Sequence, residues 1–325
     1  ISNPPRNSEK EKITQFHMDI ASSIQKVTEE VMLSLATSLR DEYKINKLCL
    51  AGGVALNCVA NGKILENKIF DKIWIQPAAG DAGGSLGAAL AFWHLELKKS
   101  REESNIDQMQ GSYLGPEFSD EKIEQDLKRM GATFKVMKEQ EIIENTAQRI
   151  TKGDAVGWFQ GRMEFGPRAL GGRSIIGDPR SPDMQKNLNL KVKYRESFRP
   201  FAPSVLIDDL GHWFKLEQES PYMLLVAEVL DNKKIEMTDE EKKLFGIDKL
   251  NLKRSEIPAV THVDYSARIQ TVNKETNEKY FNLIKKFKEI TGCPVLINTS
   301  FNVRGEPIVN SPEDAFNCFM GTELD

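Results

Sequence analysis

Apolar residues recur every three or four positions between residues 13 and 43. Phe16, Ile20, Ile24, Val27, Val31, Leu35 and Leu39 mark one stripe of a long amphipathic helix. The pattern then shortens. KLCLA (47–51) is a strand-sized apolar run closed by Gly52-Gly53, and a second helix is predicted from Val54 to Asn67. KIWIQ (72–76) reads as the next strand, and the small-residue stretch Leu86 to Leu97 as a third helix. Helices alternating with short apolar strands predict a parallel α/β layer. Residues 98–116 lose all periodicity, which predicts a linker. Beyond it the pattern predicts helices at 120–130, 139–152 and 276–291. Strands are predicted at 133–137 (TFKVM), 155–160 (AVGWFQ), 201–207 (FAPSVLI), 222–230 (YMLLVAEVL), 261–272 and 294–298 (PVLIN). Residues 231–256 are charged and read as a surface excursion. Ser311 and Pro312 open a last helix as N-cap and first residue. The fold class is α/β, in two parts, 1–102 and 117–325, joined by a linker at 103–116.

At 325 residues, 40% hydrophobic and 28% charged, the chain has the composition of a globular protein. No apolar run reaches the length of a membrane span. The four cysteines have neither CxxC nor metal spacing, which points to a reduced, cytoplasmic setting. A net charge of −4 argues against non-specific nucleic-acid binding. Against that acidity, residues 161–200 carry nine basic and four acidic side chains. Arg162, Arg168, Arg173, Arg180, Arg195 and Arg199 are interleaved with six glycines and prolines in the stretch 166–179. This is loop composition. Guanidinium forks match phosphate oxygens in pairs, so the window predicts a pocket for a small phosphorylated ligand; the bland alternative is a solvated basic surface.

Three smaller patterns could hold the same kind of ligand. AGGVALN (51–57) sets Gly52, Gly53 and Asn57 at a strand-to-helix turn, where exposed N–H groups attract anions; a plain tight turn explains it as well. Asp81 in PAAGDAGGS follows a strand and precedes a small-residue helix, so it reads equally as a metal or nucleotide ligand and as an N-cap. Asn298, Thr299, Ser300 and Asn302 at the end of PVLIN could hold phosphate or ribose oxygens, or simply reverse the chain. His17, His94, His212 and His262 show no metal spacing and suggest no catalytic set.

At AGGVALN, AAGDAGGSLGAA, GRMEFGPRALGGRSIIGDPR, ESFRPFAPS and NTSFN, the chain resembles the carbamoyltransferases that modify nodulation factors, aminoglycosides and cephem antibiotics. The likeness runs along nearly the whole chain. It implies the latter half of a Kae1-like (TsaD-like) lobe of the RNase H-like, actin-like ATPase (ASKHA) superfold, followed by a twisted-sheet YrdC-like lobe. The YrdC-like lobe would make carbamoyl-adenylate from carbamoyl phosphate and ATP with Mg2+. The other lobe would pass the carbamoyl group to a hydroxyl of a sugar, antibiotic or oligosaccharide. Lys193 and Arg195 match the family's K-x-R set, and Ser300 and Asn302 its S-x-N set. Arg168, Arg173 and Arg180 would contact the carbamoyl phosphate or the ATP phosphates, with Arg162, Arg199 and Asn298 around them. Asp81 matches the last ligand of a divalent metal site, typically iron. The HxxxH pair that completes that site is missing here, so the resemblance implies a C-terminal portion competent in adenylate formation rather than in full transfer. A half lobe would expose apolar surface, for which a homodimer is one cover. The rival readings are a threonylcarbamoylation or hydrogenase-maturation relative, and a non-catalytic nucleotide-binding module.

Overall fold

The computed structural model describes all residues except 1–4, 7–10, 12, 103, 105, 198, 245, 246 and 251. Glu103 and Asn105 of the expected linker, Phe198 of ESFRPFAPS and three residues of the 231–256 excursion therefore lie outside the described residues. By contacts the chain forms two compact units. One comprises residues 1–48 and 59–73, the other 49–58 and 74–325.

The first unit is dominated by helix α1 (Gln15–Tyr43), closed by Lys44 in a left-handed conformation at φ 54°. The periodic stripe is present, but it faces outward: Ile24, Val27, Val31 and Leu35 are each more than half exposed. Helix α2 (Cys58–Glu66) buries Ala60, Asn61, Gly62 and Ile64. It is shorter than the predicted 54–67 helix, because a 3-10 turn (Gly53–Leu56) precedes it. Strands β1 (Lys47–Leu50) and β2 (Lys72–Ile75) form a two-stranded sheet. The predicted third helix is α3 (Gly83–Ala91), which belongs to the second unit and runs into a wider π turn over Phe92–Glu96.

The second unit holds a six-stranded mixed sheet. Its strands are β3 (Val156–Phe159), β4 (Arg173–Gly177), β5 (Ala202–Leu206), β6 (Leu225–Glu228), β7 (Ser266–Val272) and β8 (Val295–Ser300), in the order β3-β4-β8-β5-β7-β6. Only β5 and β7 run parallel; the other neighbours are antiparallel. Helices α4 (Asp120–Arg129) and α5 (Glu139–Thr151) fall where the periodicity predicts them. One-turn helices α6 (Met184–Asn187), α7 (Leu210–Trp213), α8 (Asp239–Lys242) and α9 (Ile247–Leu250) interrupt the loops. Helix α10 (Glu278–Thr291) buries Tyr280, Leu283, Ile284 and Phe287 and packs on α5, which buries Ile143, Ala147 and Ile150. Helix α11 (Pro312–Met320) is capped as its sequence predicts, with Ser311 Oγ accepting from the Asp314 amide at 3.2 Å. The apolar run of β8 sits at the centre, with Val295, Leu296 and Ile297 fully buried.

Three expectations are corrected. TFKVM (133–137) forms no strand; its apolar side chains find no sheet to face, and Val136 is 72% exposed. RSIIG, read as loop, is the fully buried strand β4. The linker segment is packed rather than free: Ser112 Oγ donates to Phe165 O at 2.6 Å, Tyr113 Oη donates to Leu170 O at 2.7 Å, and Met109 is buried. The expected boundary at 102–117 thus runs inside the second unit.

Candidate functional site

Sheet topology brings three strand ends together. Ala202 opens β5 opposite Asn298 near the end of antiparallel β8, and parallel β7 starts at the same edge as β5, with Ser204 beside Gln270. A cavity of about 390 Å³ opens at this edge. Its polar wall is made of Arg168, Arg195, Arg199, Arg268, His262, Cys58, Asn298, Thr299 and Ser300, and its apolar wall includes Phe201 and Met223. No lining residue is a carboxylate. Met223 holds φ at 58°, a left-handed backbone rare for an unbranched apolar residue and of the kind that gathers at functional sites.

Arg168 stands on a braced loop. Buried Glu164 accepts from the Leu170 and Gly172 amides at 2.6 and 2.7 Å. Gln160 and Gln270 donate to Gly171 O and Leu170 O at 2.8 and 2.7 Å. Gly171, at φ 109°, lies against Tyr280, whose ring would meet an added Cβ at 2.3 Å. Arg168 Nε is buried and has no hydrogen-bond partner, and neither does Asn298 Oδ1, although Asn298 Nδ2 donates to Gln270 Oε1 at 2.7 Å. An unpaired buried donor costs about 1–3 kcal/mol, so these two atoms fit a bound polar group.

The guanidiniums crowd one another. Burial, and then neighbouring Arg199, pulls Arg195 down to about 10. Burial and Arg168 lower Arg268, against the opposing effect of its bond to the Cys58 thiol. Arg195 is fixed by Asn189, whose Oδ1 accepts from its Nε at 2.6 Å, and lies over the Phe201 ring at 5.1 Å. Glu196 opposes the lowering of Arg195 but does not line the cavity, so the gathered guanidiniums form a ready anion site.

Beside the cavity, Lys193 is buried with its ammonium among four oxygens. It donates to Ser300 O, to Ser300 Oγ at 3.2 Å, to Asn302 O at 3.0 Å and to Asn302 Oδ1 at 2.8 Å. Burial, with Arg195 adding, lowers Lys193 to about 7. Sequence positions 193, 195, 300 and 302 are thus one cluster in space.

Other expected residues stand elsewhere. Arg173 is fully buried and lies 3.6 Å from the centre of the Phe159 ring. Its guanidinium donates to the carbonyls of Gln160, Gly161, Gly172 and Pro116 at 3.0, 3.1, 2.9 and 3.2 Å, pinning loops rather than facing the cavity. Arg180 chelates Asp178 through bonds of 2.9 and 2.6 Å. Arg162 is exposed, donates to Gly115 O at 3.1 Å and lies 3.6 Å from Glu117. Gly52, Gly53 and Asn57 do not line the cavity, though the next residue, Cys58, does. The Gly52 amide instead donates to Ala79 O at 2.8 Å. Asp81 is exposed and does not cap α3, whose N-cap is Ala82. Among the described residues no group of three or more His, Cys, Asp or Glu is placed to hold a metal.

Three polar residues of the cavity wall escaped the sequence reading: Cys58, His262 and Arg268. Arg268 had a visible signal: a charge in the strand run 266–272, on the same polar face as Ser266 and Gln270. His262 had none, since its role depends on packing across β7.

Comparison with known proteins now bears on this geometry. The family description Carbamoyltransferase N-terminus matches residues 4–90, and Carbamoyltransferase C-terminus matches residues 147–325, more than half of the chain. The chain belongs to the carbamoyltransferase family. Its relatives include an uncharacterized protein of Synechocystis, 57% identical over 99% of this chain and 52% of its own length. Nodulation protein NolNO of Sinorhizobium fredii is 41% identical over 96% of this chain and 43% of its own. Nodulation protein NolO of Bradyrhizobium diazoefficiens is 39% identical over 96% and 53%. The carbamoyltransferase chain thus spans about half the length of these relatives. A solved structure of full-length HypF, in a phosphate- and nucleotide-bound form, aligns at a TM-score of 0.34 and 14% identity over 55% of this chain and 20% of that one, too slight a likeness to argue from. No helix among the described residues is long and apolar enough to cross a membrane.

Proposed function

We propose that the cavity binds carbamoyl phosphate and the phosphates of ATP, and that this carbamoyltransferase forms carbamoyl-adenylate there. The observation that carries the reading is four guanidiniums, Arg168, Arg195, Arg199 and Arg268, around one cavity with no carboxylate in its wall. Phosphoryl and adenylyl transfer need positioning and fixed positive charge more than covalent help from the protein. Arg168, braced but unpaired at Nε, takes a phosphate oxygen. Lys193, Ser300 and Asn302 hold the nucleotide beside Arg195. Mg2+ enters with the nucleotide. In this reading residues 117–325 act as a YrdC-like lobe, the earlier residues belong to an ASKHA lobe, and the intact protein passes the carbamoyl group to a hydroxyl acceptor in the cytoplasm. No step is assigned to a metal at Asp81.

The test is carbamoyl-phosphate-dependent exchange of pyrophosphate into ATP in the intact protein. Arg168→Ala is expected to lower it at least tenfold, in line with about 1.5–3 kcal/mol for a hydrogen bond to a charged group. Exchange at the unsubstituted rate would count against the assignment.

A further inference from the structure

His262 lines the cavity and is otherwise largely enclosed. Its Nδ1 lies 3.0 Å from Ser266 Oγ, and Ser266 Oγ donates to Asp264 Oδ1 at 2.6 Å. Ser266 has one hydroxyl proton, and the Asp264 carboxylate can only accept. Burial pushes the Asp264 carboxyl up, but bonds from the Ser266 hydroxyl and amide more than offset it and keep the group ionised. The Ser266 proton is therefore committed to Asp264, its oxygen accepts, and His262 carries its proton on Nδ1. This leaves the Nε2 lone pair free. Among the described residues no group bonds Nε2, and it is not among the buried atoms without a partner, so it is accessible on a ring that lines the cavity. Burial lowers the imidazole pKa, Asp264 opposes this, and Arg268 and Arg254 add to it. The ring is held neutral among charges named on every side: Asp264 and Ser266 on its own segment, Arg254 donating to its carbonyl at 3.1 Å, and Arg268, Arg168, Arg195, Arg199 and Cys58 around the cavity.

The inference rests on the carbamoyl-phosphate reading and assigns a residue to one step that its chemistry demands. Carbamoyl-adenylate, phosphate and pyrophosphate cannot form from carbamoyl phosphate and ATP without one water. We infer that His262 Nε2 is the proton acceptor for that water. The water oxygen bonds to phosphorus as the phosphorus–carbamoyl oxygen bond breaks. The proton goes to Nε2, inorganic phosphate forms, and carbamate leaves with the bonding electron pair. A carbamate oxygen then attacks the α-phosphorus of ATP and expels pyrophosphate. Among the cavity's polar side chains, guanidiniums cannot accept a proton, and a neutral imidazole is suited to it.

The experiment compares His262→Gln with the unsubstituted intact protein. Phosphate release from carbamoyl phosphate without ATP is expected to fall by about 100-fold or more, the scale of general-base catalysis. Pyrophosphate exchange driven by carbamoyl phosphate falls with it. Exchange driven by added ammonium carbamate, which bypasses the water, falls less than exchange driven by carbamoyl phosphate. Ser266→Ala, which removes the clamp on Nδ1, shifts the acid limb of the phosphate-release profile and leaves carbamate-driven exchange in place. Unchanged phosphate release in His262→Gln overturns the inference, and so does loss of the carbamate-driven exchange. If the unsubstituted protein releases no phosphate, the carbamoyl-phosphate reading has failed first.

Discussion

Lys193 shows how one buried side chain carries two opposing demands. Four oxygens favour its ammonium, while burial and Arg195 pull its pKa down to about 7. An unfolded lysine titrates near 10.5. Between those values the unfolded chain holds a proton that the folded chain has released, so stability rises with pH across that window. The expected outcome is a urea midpoint that climbs between pH 7.5 and 9.5, with a contribution of at most about 1.4 kcal/mol per pH unit. Lys193→Met should flatten that climb. An equal slope in both proteins would mean that Lys193 stays charged throughout, held by Ser300 and Asn302. A bound phosphate would favour the ammonium and reduce the slope, which links this residue's proton to the occupancy of the neighbouring cavity.

Strand β4 shows why the arginine window was only partly legible. Six arginines among glycines and prolines announced an anion site, and three of them (Arg168, Arg195 and Arg199) do line the cavity. The other three have local duties that no spacing betrays. Arg180 faces Asp178 two residues away, Arg162 lies near Glu117, and Arg173 opens a buried strand hidden inside loop composition. Helices α5 and α10 and strand β8 could be read directly, because their burial follows from their own periodicity; α1 was legible as a helix, although its apolar stripe is exposed. TFKVM misled because its apolar residues have the alternation of a strand but no neighbour to pair with. Arg173 separates the two roles experimentally. Arg173→Met removes a donor from the carbonyls of Gln160, Gly161, Gly172 and Pro116; Gly172 O and Pro116 O keep the Gln160 and Met163 amides, so the loss falls on Gln160 O and Gly161 O, at about 1–3 kcal/mol for each acceptor left unpaired. A loss of about 3 kcal/mol or more in unfolding free energy is expected, read from the denaturant midpoint. A normal midpoint with weakened phosphate binding would instead place Arg173 among the ligand contacts.

Over the whole molecule the charge is uneven: the chain is net negative, yet its cavity gathers four guanidiniums with no carboxylate among its described lining residues, and Glu196 only partly offsets the lowering of Arg195. The lowered values of Arg195 and Arg268 show the direction of the cost, since burial and mutual repulsion both work against their charged forms. A site strained in this way trades stability for readiness to bind. Two measurements on thermal unfolding follow. Inorganic phosphate or pyrophosphate should raise the unfolding midpoint, with a stabilisation of about 2.7 kcal/mol at one hundred times the dissociation constant. The gain should shrink as sodium chloride rises, although less than for a surface patch, because enclosed charges are screened weakly. Arg268→Gln removes one of the repelling charges and should raise the midpoint of the ligand-free protein while reducing the phosphate gain. The paired signs are what matter. A simple packing role for Arg268 predicts a lower midpoint without ligand, and a solvated basic surface predicts no change in either measurement; only an anion site under internal repulsion gives higher intrinsic stability together with weaker response to phosphate.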